Sequence, residues 1–306
     1  MRVLVTGGAG FIGSHIVEYF QGKADVCVLD NLRTGFRDNL EGFDCEFIKG
    51  SITNKDIVSE AVNNVDYIFH MAAMISVPES MEKPVECVEI NTIGTLNILE
   101  QAAKAGVKKL CFSSSAAIYG DNPVVPKVEA MLPEPKSPYA VTKLDGEYYC
   151  KMFNDEGWLQ TACLRYFNVF GPRQDPKSQY AAAVPIFTEK ALKNETITIY
   201  GDGEQTRDFI FVKDVVNANI WLSQQDNVSG IFNIAYGKSQ TINDLAKRII
   251  KLTSSNSKIE HGPVRAGDVK HSRADINRLS STGLKFVPFF DEALGATVSY
   301  FKTSKV

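Results

Sequence analysis

A glycine-rich turn between an apolar run and a helical pattern constrains this chain more than any other segment. Val3–Val5 form an apolar run, and Gly7, Gly10 and Gly13 follow it before a helix-like stretch. Glycines in such a turn let backbone N–H groups and a helix N-terminus approach a pyrophosphate. The alternative is a tight strand–helix turn without a ligand, but the strand before and the helix after the glycines favour a dinucleotide-binding unit.

Short apolar runs alternate with helical patterns through about the first 165 residues. The predicted strands are Val3–Val5, Asp25–Leu29, Glu46–Ile48, Tyr67–His70, Lys109–Ser113 and Thr161–Tyr166. The predicted helices are Gly13–Phe20, Asn54–Val62, Asn91–Ala105 and Pro138–Asn154. This alternation predicts an α/β fold with a doubly wound parallel (Rossmann) sheet.

The pattern changes after residue 168, where Gly171–Pro176 forms a turn-rich link and the later segments are irregularly spaced. We therefore expect a first domain at 1–168 and a smaller α/β lobe at 169–306. A segment near 230–236 is expected to return to the first domain's sheet.

Composition excludes several classes of partner. With 33 Lys and Arg against 36 Asp and Glu, the net charge of −3 recommends neither nucleic acid nor an acidic membrane surface. No apolar stretch approaches the ~20 residues of a membrane span, and the N-terminus does not resemble a signal peptide. The six cysteines form no C-x-x-C pair and the four histidines show no metal-ligand spacing. These features predict a cytoplasmic protein without a metal.

The end of the second predicted strand bears on the choice of cofactor. Asp30 stands where an acidic side chain accepts hydrogen bonds from an adenosine ribose and repels a 2′-phosphate, which favours NAD over NADP. Arg33 lies close by in sequence and argues for the opposite choice. Asp30 could also be no more than a turn residue.

Two other strand ends carry small or hydroxyl residues. Ala72 and Ala73 follow the fourth strand, where small residues would let a cofactor pass over the sheet edge. Ser113–Ser115 end the fifth strand. Because ligands collect at the carboxyl ends of parallel strands, these hydroxyls are candidates for contacting a reacting C–O group, although three serines alone also suit a loop.

A candidate acid–base pair opens the last predicted helix of the first domain. Ser137 and Pro138 suit the N-cap and first helical positions, so Tyr139 and Lys143 lie one turn apart on one face. The lysine charge is expected to lower the tyrosine pKa, as a general base needs. A second Y-x-x-x-K match begins at Tyr19, but it lies near the far end of the phosphate-binding helix.

Taken together, several motifs resemble the extended short-chain dehydrogenase/reductases that act on nucleotide sugars, over essentially the whole chain. The motifs are TGGAGFIGSH, Asp30-Asn31, SSSAAIYGD, SPYAVTK, LRYFNVFGPRQDP and GDGEQTRDF. Within that group the chain is most similar to UDP-sugar 4-epimerases, particularly the bacterial and archaeal type that uses UDP-N-acetylglucosamine as well as UDP-glucose.

The resemblance implies that Ser115 and Tyr139 bind the sugar 4-hydroxyl and that Lys143 holds the nicotinamide ribose. The implied cofactor contacts are Gly7, Gly10, Phe11, Ile12, Gly13, Asp30, Asn31, Arg33, Ser51, Ile52, Ala72, Ala73, Asn91 and Tyr166. The implied substrate contacts are Ser76, Ala117, Asn168, Val184, Tyr200, Arg207, Arg265, Asp268 and Ser272. The forked guanidinium groups of Arg207 and Arg265 match phosphate oxygens. The alternative for each arginine is a surface or interlobe salt bridge.

Three features of the sequence place this chain within the group. Ser51 stands where the family usually has an acidic residue near the adenine. Related 4,6-dehydratases carry an acidic residue where Ala116 and Ala117 stand here, so dehydration is not expected. Ser272 occupies a position that is bulky in glucose-restricted members, and its small side chain leaves room for an N-acetyl group.

The resemblance thus implies NAD-dependent 4-epimerisation of a UDP-hexose through a transient 4-keto sugar. UDP-glucuronate or another nucleotide sugar is the alternative substrate, and a non-catalytic NAD-binding module is the alternative from a different class. A homodimer is expected through the helix pair Asn91–Ala105 and Pro138–Asn154. The apolar positions of Asn91–Ala105 exceed what one sheet face needs, and burial within one subunit is the equal alternative to a dimer contact.

Overall fold

The computed structural model describes residues 1–176, 182–264, 269–287 and 289–303. The strands are β1 (Arg2–Thr6), β2 (Asp25–Asp30), β3 (Glu46–Lys49), β4 (Tyr67–His70), β5 (Lys109–Ser115), β6 (Gln160–Tyr166), β7 (Asn168–Phe170), β8 (Ile197–Tyr200), β9 (Thr206–Arg207), β10 (Phe209–Phe211), β11 (Gly230–Ile234), β12 (Gln240–Thr241) and β13 (Ile259–Gly262). The α-helices are α1 (Phe11–Tyr19), α2 (Lys55–Ala61), α3 (Val77–Glu82), α4 (Pro84–Val88), α5 (Gly94–Ala105), α6 (Pro138–Asp155), α7 (Ala183–Leu192), α8 (Val212–Gln224), α9 (Ile242–Thr253), α10 (Asn277–Ser281) and α11 (Phe290–Thr303).

The central sheet has seven strands in the order β11-β6-β5-β4-β1-β2-β3. The pairs from β3 through β6 are parallel. Leu4, Leu29, Ile68 and Leu110 are fully buried, as expected for near-continuous apolar strands that are covered on both faces. The predicted Rossmann-type α/β fold is confirmed.

Each predicted strand and helix of the first domain is present, with shifted ends. The last strand of the sheet, β11, lies beside β6, which agrees with the expected return of the chain near 230–236. The helix predicted over Asn91–Ala105 begins in a π-helical turn at Glu89–Ile93 before α5 continues it. The sequence pattern did not predict α3 and α4, because helices of six and five residues are too short to show a helical period.

The helix α6 packs closely on β5. Ser137 caps it by accepting a hydrogen bond from the Ala140 N–H at 3.2 Å. A Cβ atom at Gly146 would lie 2.3 Å from the Phe112 ring, so only glycine allows this approach in the middle of the helix. The approach brings the side chains of α6 within hydrogen-bond reach of the end of β5.

The chain forms two compact units. Unit 1 comprises Met1–Gly120, Leu132–Tyr166 and Val215–Phe232, and unit 2 comprises Asp121–Met131, Phe167–Asp214 and Asn233–Val306. We expected a single boundary at residue 168. The observed division differs from it at two segments, because Asp121–Met131 belongs to unit 2 and Val215–Phe232 belongs to unit 1. The segment through α8 belongs to unit 1 because it leads into β11, and the Cys111 thiol contacts the Asn219 carbonyl there at 3.5 Å.

Unit 2 has its own apolar core and three two-stranded sheets. The sheets pair β7 with β10, β8 with β13 and β9 with β12. The core gathers Phe170, Phe187, Phe209 and Leu294. No helix among the described residues is long and apolar enough to cross a membrane.

Candidate active site

The glycine turn after β1 is packed too tightly for side chains. Gly7 has φ +68°, and a Cβ atom there would lie 2.8 Å from the Ala72 nitrogen. A Cβ at Gly13 would lie 2.2 Å from the Gly7 carbonyl oxygen. Gly10 is the N-cap of α1, where Phe11 and Ile12 follow, and no side chain caps that helix. The first-turn N–H groups of a helix have no intrahelical acceptor, so this cradle fits a pyrophosphate.

Asp30 lies at the carboxyl end of β2 and supports the glycine turn directly. One carboxylate oxygen accepts from the Ala9 N–H at 2.9 Å and the other from the Leu32 N–H at 2.7 Å. Burial raises the pKa of Asp30, and the two backbone hydrogen bonds counteract that effect. Asn31 is exposed, and its side chain accepts from the Arg33 N–H at 3.0 Å.

Arg33 is held by two carboxylates that the sequence did not indicate. Its guanidinium contacts Glu79 of α3 at 2.8 Å and Glu86 of α4 at 2.6 Å. A guanidinium paired in this way is not free to bind a 2′-phosphate. This pairing weakens the argument from Arg33 for NADP.

Two residues predicted near the adenine follow β3. The Ser51 hydroxyl hydrogen-bonds to the Thr53 hydroxyl at 2.8 Å within a local turn. Ile52 is 4% exposed and packs in the core of unit 1. Its side chain therefore packs in the core, and the cofactor contact of Ile52 stays a prediction. After β4, Ala72 and Ala73 are half-buried beside the glycine turn.

The remaining two predicted cofactor residues, Asn91 and Tyr166, have protein partners. The Asn91 side chain exchanges hydrogen bonds with the Met74 backbone at 2.7 and 3.1 Å and donates to the Thr142 hydroxyl at 3.0 Å. The Tyr166 hydroxyl and the Asn219 side-chain oxygen are 3.0 Å apart. Both side chains are buried, so the structure gives them a supporting role beside the strand ends.

The structure brings Ser115, Tyr139 and Lys143 together in unit 1. Ser115 ends β5, and its hydroxyl accepts from the Ala117 N–H at 3.1 Å. Tyr139 lies near Ser115, whose side-chain hydroxyl lowers the pKa of the phenol. The Lys143 ammonium donates to the Ser113 carbonyl at 2.7 Å and lies 5.8 Å from the centre of the Tyr139 ring. This is an arrangement in which a phenol, a hydroxyl and an ammonium can act on one C–O group.

The electrostatics of this group reflect its burial. Burial raises the pKa of Tyr139, and the Ser115 hydrogen bond offsets this only in part. Burial lowers the pKa of Lys143 to about 8. Removal from water therefore dominates both groups in the polypeptide by itself, and the lowering of the tyrosine pKa by Lys143 stays a prediction.

Unit 2 places several of the predicted substrate residues on neighbouring segments. Asn168 begins β7, and its N–H donates to the Asp208 carbonyl at 3.1 Å. Arg207 is the last residue of β9 and directly precedes Asp208. The Ser272 N–H donates to the carbonyl of Thr206, the other residue of β9, at 3.0 Å. Tyr200 ends β8 and is 38% exposed.

The other predicted substrate residues divide into three groups. Ser76 and Ala117 lie in unit 1, where Ser76 caps α3. Val184 is 1% exposed and its side chain packs in the core of unit 2, so its substrate contact stays a prediction. Arg265 and Asp268 lie outside the described residues.

Asp208 is a buried hub that the sequence analysis missed. Its carboxylate accepts from the Tyr236 and Ala274 N–H groups, each at 3.1 Å, and the backbone of Gly237 and Lys238 also lowers its pKa. Burial raises the pKa of Asp208 to about 7 despite these donors. The hydrogen bond from the Ala274 N–H to Asp208 fixes the backbone two residues after Ser272. As for metals, no group of three or more ligating side chains occurs within the residues that the structure describes.

Comparison with known proteins defines the class of this site. The chain matches the NAD dependent epimerase/dehydratase family over residues 3–235 and belongs to that family. It is 40% identical to a protein of Methanocaldococcus jannaschii named putative UDP-glucose 4-epimerase, with 99% of both chains covered. A relative of Bacillus cytotoxicus, named UDP-N-acetyl-alpha-D-glucosaminuronate decarboxylase, is 35% identical with 98% of both covered.

Solved structures agree with this assignment. The UDP-N-acetylglucosamine 4-epimerase of Methanobrevibacter ruminantium M1, in complex with UDP-N-acetylmuramic acid, superposes with a TM-score of 0.95 at 41% identity, covering 99% of this chain and 98% of that one. The Thermus thermophilus UDP-glucose 4-epimerase with NAD gives 0.90 at 37% identity, covering 99% and 100%. The chain is an NAD-dependent enzyme of the extended short-chain dehydrogenase/reductase type, and its relatives include UDP-sugar 4-epimerases.

Proposed function

We propose that this enzyme interconverts the 4-epimers of a UDP-hexose through a transient 4-keto sugar. The observation that carries the proposal is the Ser115, Tyr139 and Lys143 arrangement in the unit that bears the dinucleotide cradle. The family membership and the named relatives support it.

The chemistry assigned to the protein residues is proton transfer and positioning. Tyr139, as phenolate, takes the proton of the sugar 4-hydroxyl and later returns it, while Ser115 holds that hydroxyl. NAD, when bound, supplies a hydride acceptor and donor. Lys143 holds the nicotinamide ribose, and with a pKa of about 8 its ammonium is mostly charged at neutral pH and favours the phenolate electrostatically.

The phenolate needs further help, because burial alone raises the pKa of Tyr139. The Ser115 hydrogen bond lowers that pKa, and the positive charge of oxidised nicotinamide would act in the same direction. General-base catalysis by a positioned side chain contributes about 10² to 10⁴-fold in rate, so this pKa adjustment is central to turnover.

Unit 2 supplies the groups proposed for the nucleotide sugar. Asn168 and Arg207 offer an amide and a guanidinium, which suits a diphosphate, and Arg265 and Asp268 are proposed from the family resemblance alone. The small Ser272 side chain favours use of both plain and N-acetylated hexoses. Ala116 and Ala117 provide no acid for dehydration.

A uronate is the second candidate substrate, because one relative is named a decarboxylase of a UDP-aminosugar uronate. A non-catalytic NAD-binding module is the candidate from another class. Retention of the three candidate catalytic groups in one cluster argues against that module.

We also propose a homodimer through the helices predicted for this role. On α5 most apolar positions, such as Ile98 and Leu99, are buried within the subunit. Exposed apolar side chains include Ile93, which is 46% exposed, and on α6 Val141, Tyr148 and Met152, which are 43%, 59% and 43% exposed. Sedimentation of the wild type and of Tyr148→Glu tests this, with a shift to monomer expected for the variant.

The deciding experiment incubates the purified enzyme separately with UDP-glucose, UDP-N-acetylglucosamine and UDP-glucuronate and measures the 4-epimer of each. We expect conversion of the first two. Conversion of UDP-glucuronate alone, or release of carbon dioxide from it, would select the second candidate. Bound NAD without turnover of any nucleotide sugar would select the binding module.

A further inference from the structure

The last three residues of β5 each contact α6, and the contacts fall one helical turn apart. Two of them, the Ser115 contact with Tyr139 and the Ser113 contact with Lys143, belong to the candidate catalytic group described above. The third has no place in the proposed chemistry. Ser114, which is 2% exposed, donates a hydrogen bond to Glu147 at 2.5 Å.

Glu147 is in turn held by a buried arginine of β6. Arg165 donates to both carboxylate oxygens, from Nε at 2.8 Å and from Nη2 at 2.7 Å. Both ion-pair side chains are at most 2% exposed. Such a forked, doubly bonded pair fixes geometry as well as charge. It ties α6 to β6 at the same level at which Ser114 ties α6 to β5.

We propose that Ser114, Glu147 and Arg165 form a positioning cluster that sets the height of α6 on the sheet, so that the Tyr139 hydroxyl meets Ser115. This inference rests on the proposed function. Glu147 lies one turn beyond Lys143, so a shift of α6 along β5 breaks this contact together with the two catalytic ones. A catalytic constellation needs placement within about 0.5 Å, and a misplacement of about 1 Å can cost 10²-fold in rate.

The test compares Ser114→Ala with Thr161→Val. Thr161 is 2% exposed, and its hydroxyl donates to the Cys150 carbonyl of α6 at 2.8 Å. Each variant therefore removes one buried hydroxyl and one hydrogen bond between the sheet and α6. Only Ser114 belongs to the cluster, whereas Cys150 lies farther along the helix from Lys143. Thr161→Val therefore measures the effect on activity and stability of losing a buried hydrogen bond outside the cluster.

For Ser114→Ala we expect kcat per NAD-loaded site to fall at least about tenfold, with KM for the nucleotide sugar within about twofold. A weaker Ser115 contact raises the pKa of Tyr139, so the acid limb of the kcat profile moves to higher pH. Thr161→Val is expected to keep the wild-type kcat and pH profile. Equal behaviour of the two variants would overturn the proposal.

A readout independent of turnover separates this proposal from the proposed function. The tyrosinate absorbance of each protein is titrated against its Tyr139→Phe counterpart, which isolates the ionisation of Tyr139. A higher pKa in Ser114→Ala than in the wild type and in Thr161→Val supports the cluster even if no sugar nucleotide is turned over. An unchanged pKa refutes it even if the wild type is an active epimerase.

Discussion

In unit 1 a buried cluster beside the end of β5, formed by Ser114, Glu147 and Arg165, consists of side chains that contact other side chains. In unit 2, by contrast, the central buried carboxylate of Asp208 accepts hydrogen bonds from the backbone. The Ser114, Glu147 and Arg165 contacts illustrate the first arrangement, and the turn around Tyr236 and Ala274 illustrates the second.

This difference determines whether removing a buried polar side chain is expected to affect catalysis or folding first in each unit. In unit 1, loss of the Ser114 hydroxyl leaves Glu147 paired with Arg165, so it is expected to disturb catalysis before it disturbs the fold. A carboxylate that gathers several backbone N–H groups holds whole chain segments, and an unsatisfied buried donor costs about 1–3 kcal/mol. Loss of Asp208 should therefore disturb folding first and substrate binding second.

The largest expected effect is that of Tyr139→Phe in unit 1. Removing the hydroxyl removes the proposed general base while the ring keeps its packing, so turnover of UDP-glucose should fall by about 10³-fold or more. NAD content and thermal stability should stay near wild type, since the change removes one hydroxyl group and keeps the ring. The measurement is initial rate per bound NAD. A rate within tenfold of wild type would remove Tyr139 from the mechanism.

The next effect concerns the pH dependence of stability in unit 2. The pKa of Asp208 is about 7 in the folded chain, raised by burial, against about 3.9 in an unfolded one. Between these values the folded state binds more protons than the unfolded state, so the contribution of Asp208 to the free energy of unfolding falls as pH rises through this window. Above pH 7 that contribution stays constant.

Asp208→Asn does not titrate and provides the reference. Urea unfolding of wild type and variant at pH 5.5 and pH 8 should show the stability advantage of the wild type shrinking by about 2 kcal/mol, at about 1.4 kcal/mol for each pH unit below 7. An advantage that is constant over this range would show that the carboxylate is ionised throughout.

The same contrast explains what the sequence predicted. The positions of the glycine turn, Asp30 and the Tyr139–Lys143 pair were predictable, because each depends on residues that are close together in sequence, beside a strand or at the start of a helix. The partners of Arg33 were not, since Glu79 and Glu86 lie 46 and 53 residues away on helices too short to show a period.

Resemblance to a family fixes the position of a residue but not the direction of its side chain. Ile52 and Val184 were expected to contact ligands, yet both are buried in the cores of their units. Apolar side chains gain about 1.5–3 kcal/mol from full burial, so an apolar residue at a contact position often faces the core and offers only backbone. Asp208 was missed because backbone donors leave no mark in a sequence.

Substrate choice in unit 2 should depend on the volume at Ser272. In Ser272→Tyr the added ring is expected to clash with an N-acetyl group, lowering kcat/KM for UDP-N-acetylglucosamine at least about tenfold while UDP-glucose stays within about twofold. Ser272→Ala is the matched control and should keep both substrates. Equal losses on the two substrates for Ser272→Tyr would show that the side chain does not discriminate the 2-substituent.

The smallest expected effect returns to unit 1, at the arginine beside the adenosine ribose position. In the double variant Glu79→Gln and Glu86→Gln, the Arg33 guanidinium loses both carboxylates and can pair with a 2′-phosphate. We expect the ratio of NADP to NAD affinity to rise about fivefold, or about 1 kcal/mol, the size of an exposed ion pair.

The control for that variant is Glu100→Gln, which removes another surface ion pair of unit 1, the 2.7 Å contact with Lys55. Direct binding of both cofactors to stripped enzyme measures the ratio. Because Asp30 still opposes a 2′-phosphate, NAD should remain preferred in the double variant. If the ratio stays at the wild-type value in the double variant, Asp30 alone determines the preference, and the two glutamates of α3 and α4 serve only to anchor Arg33.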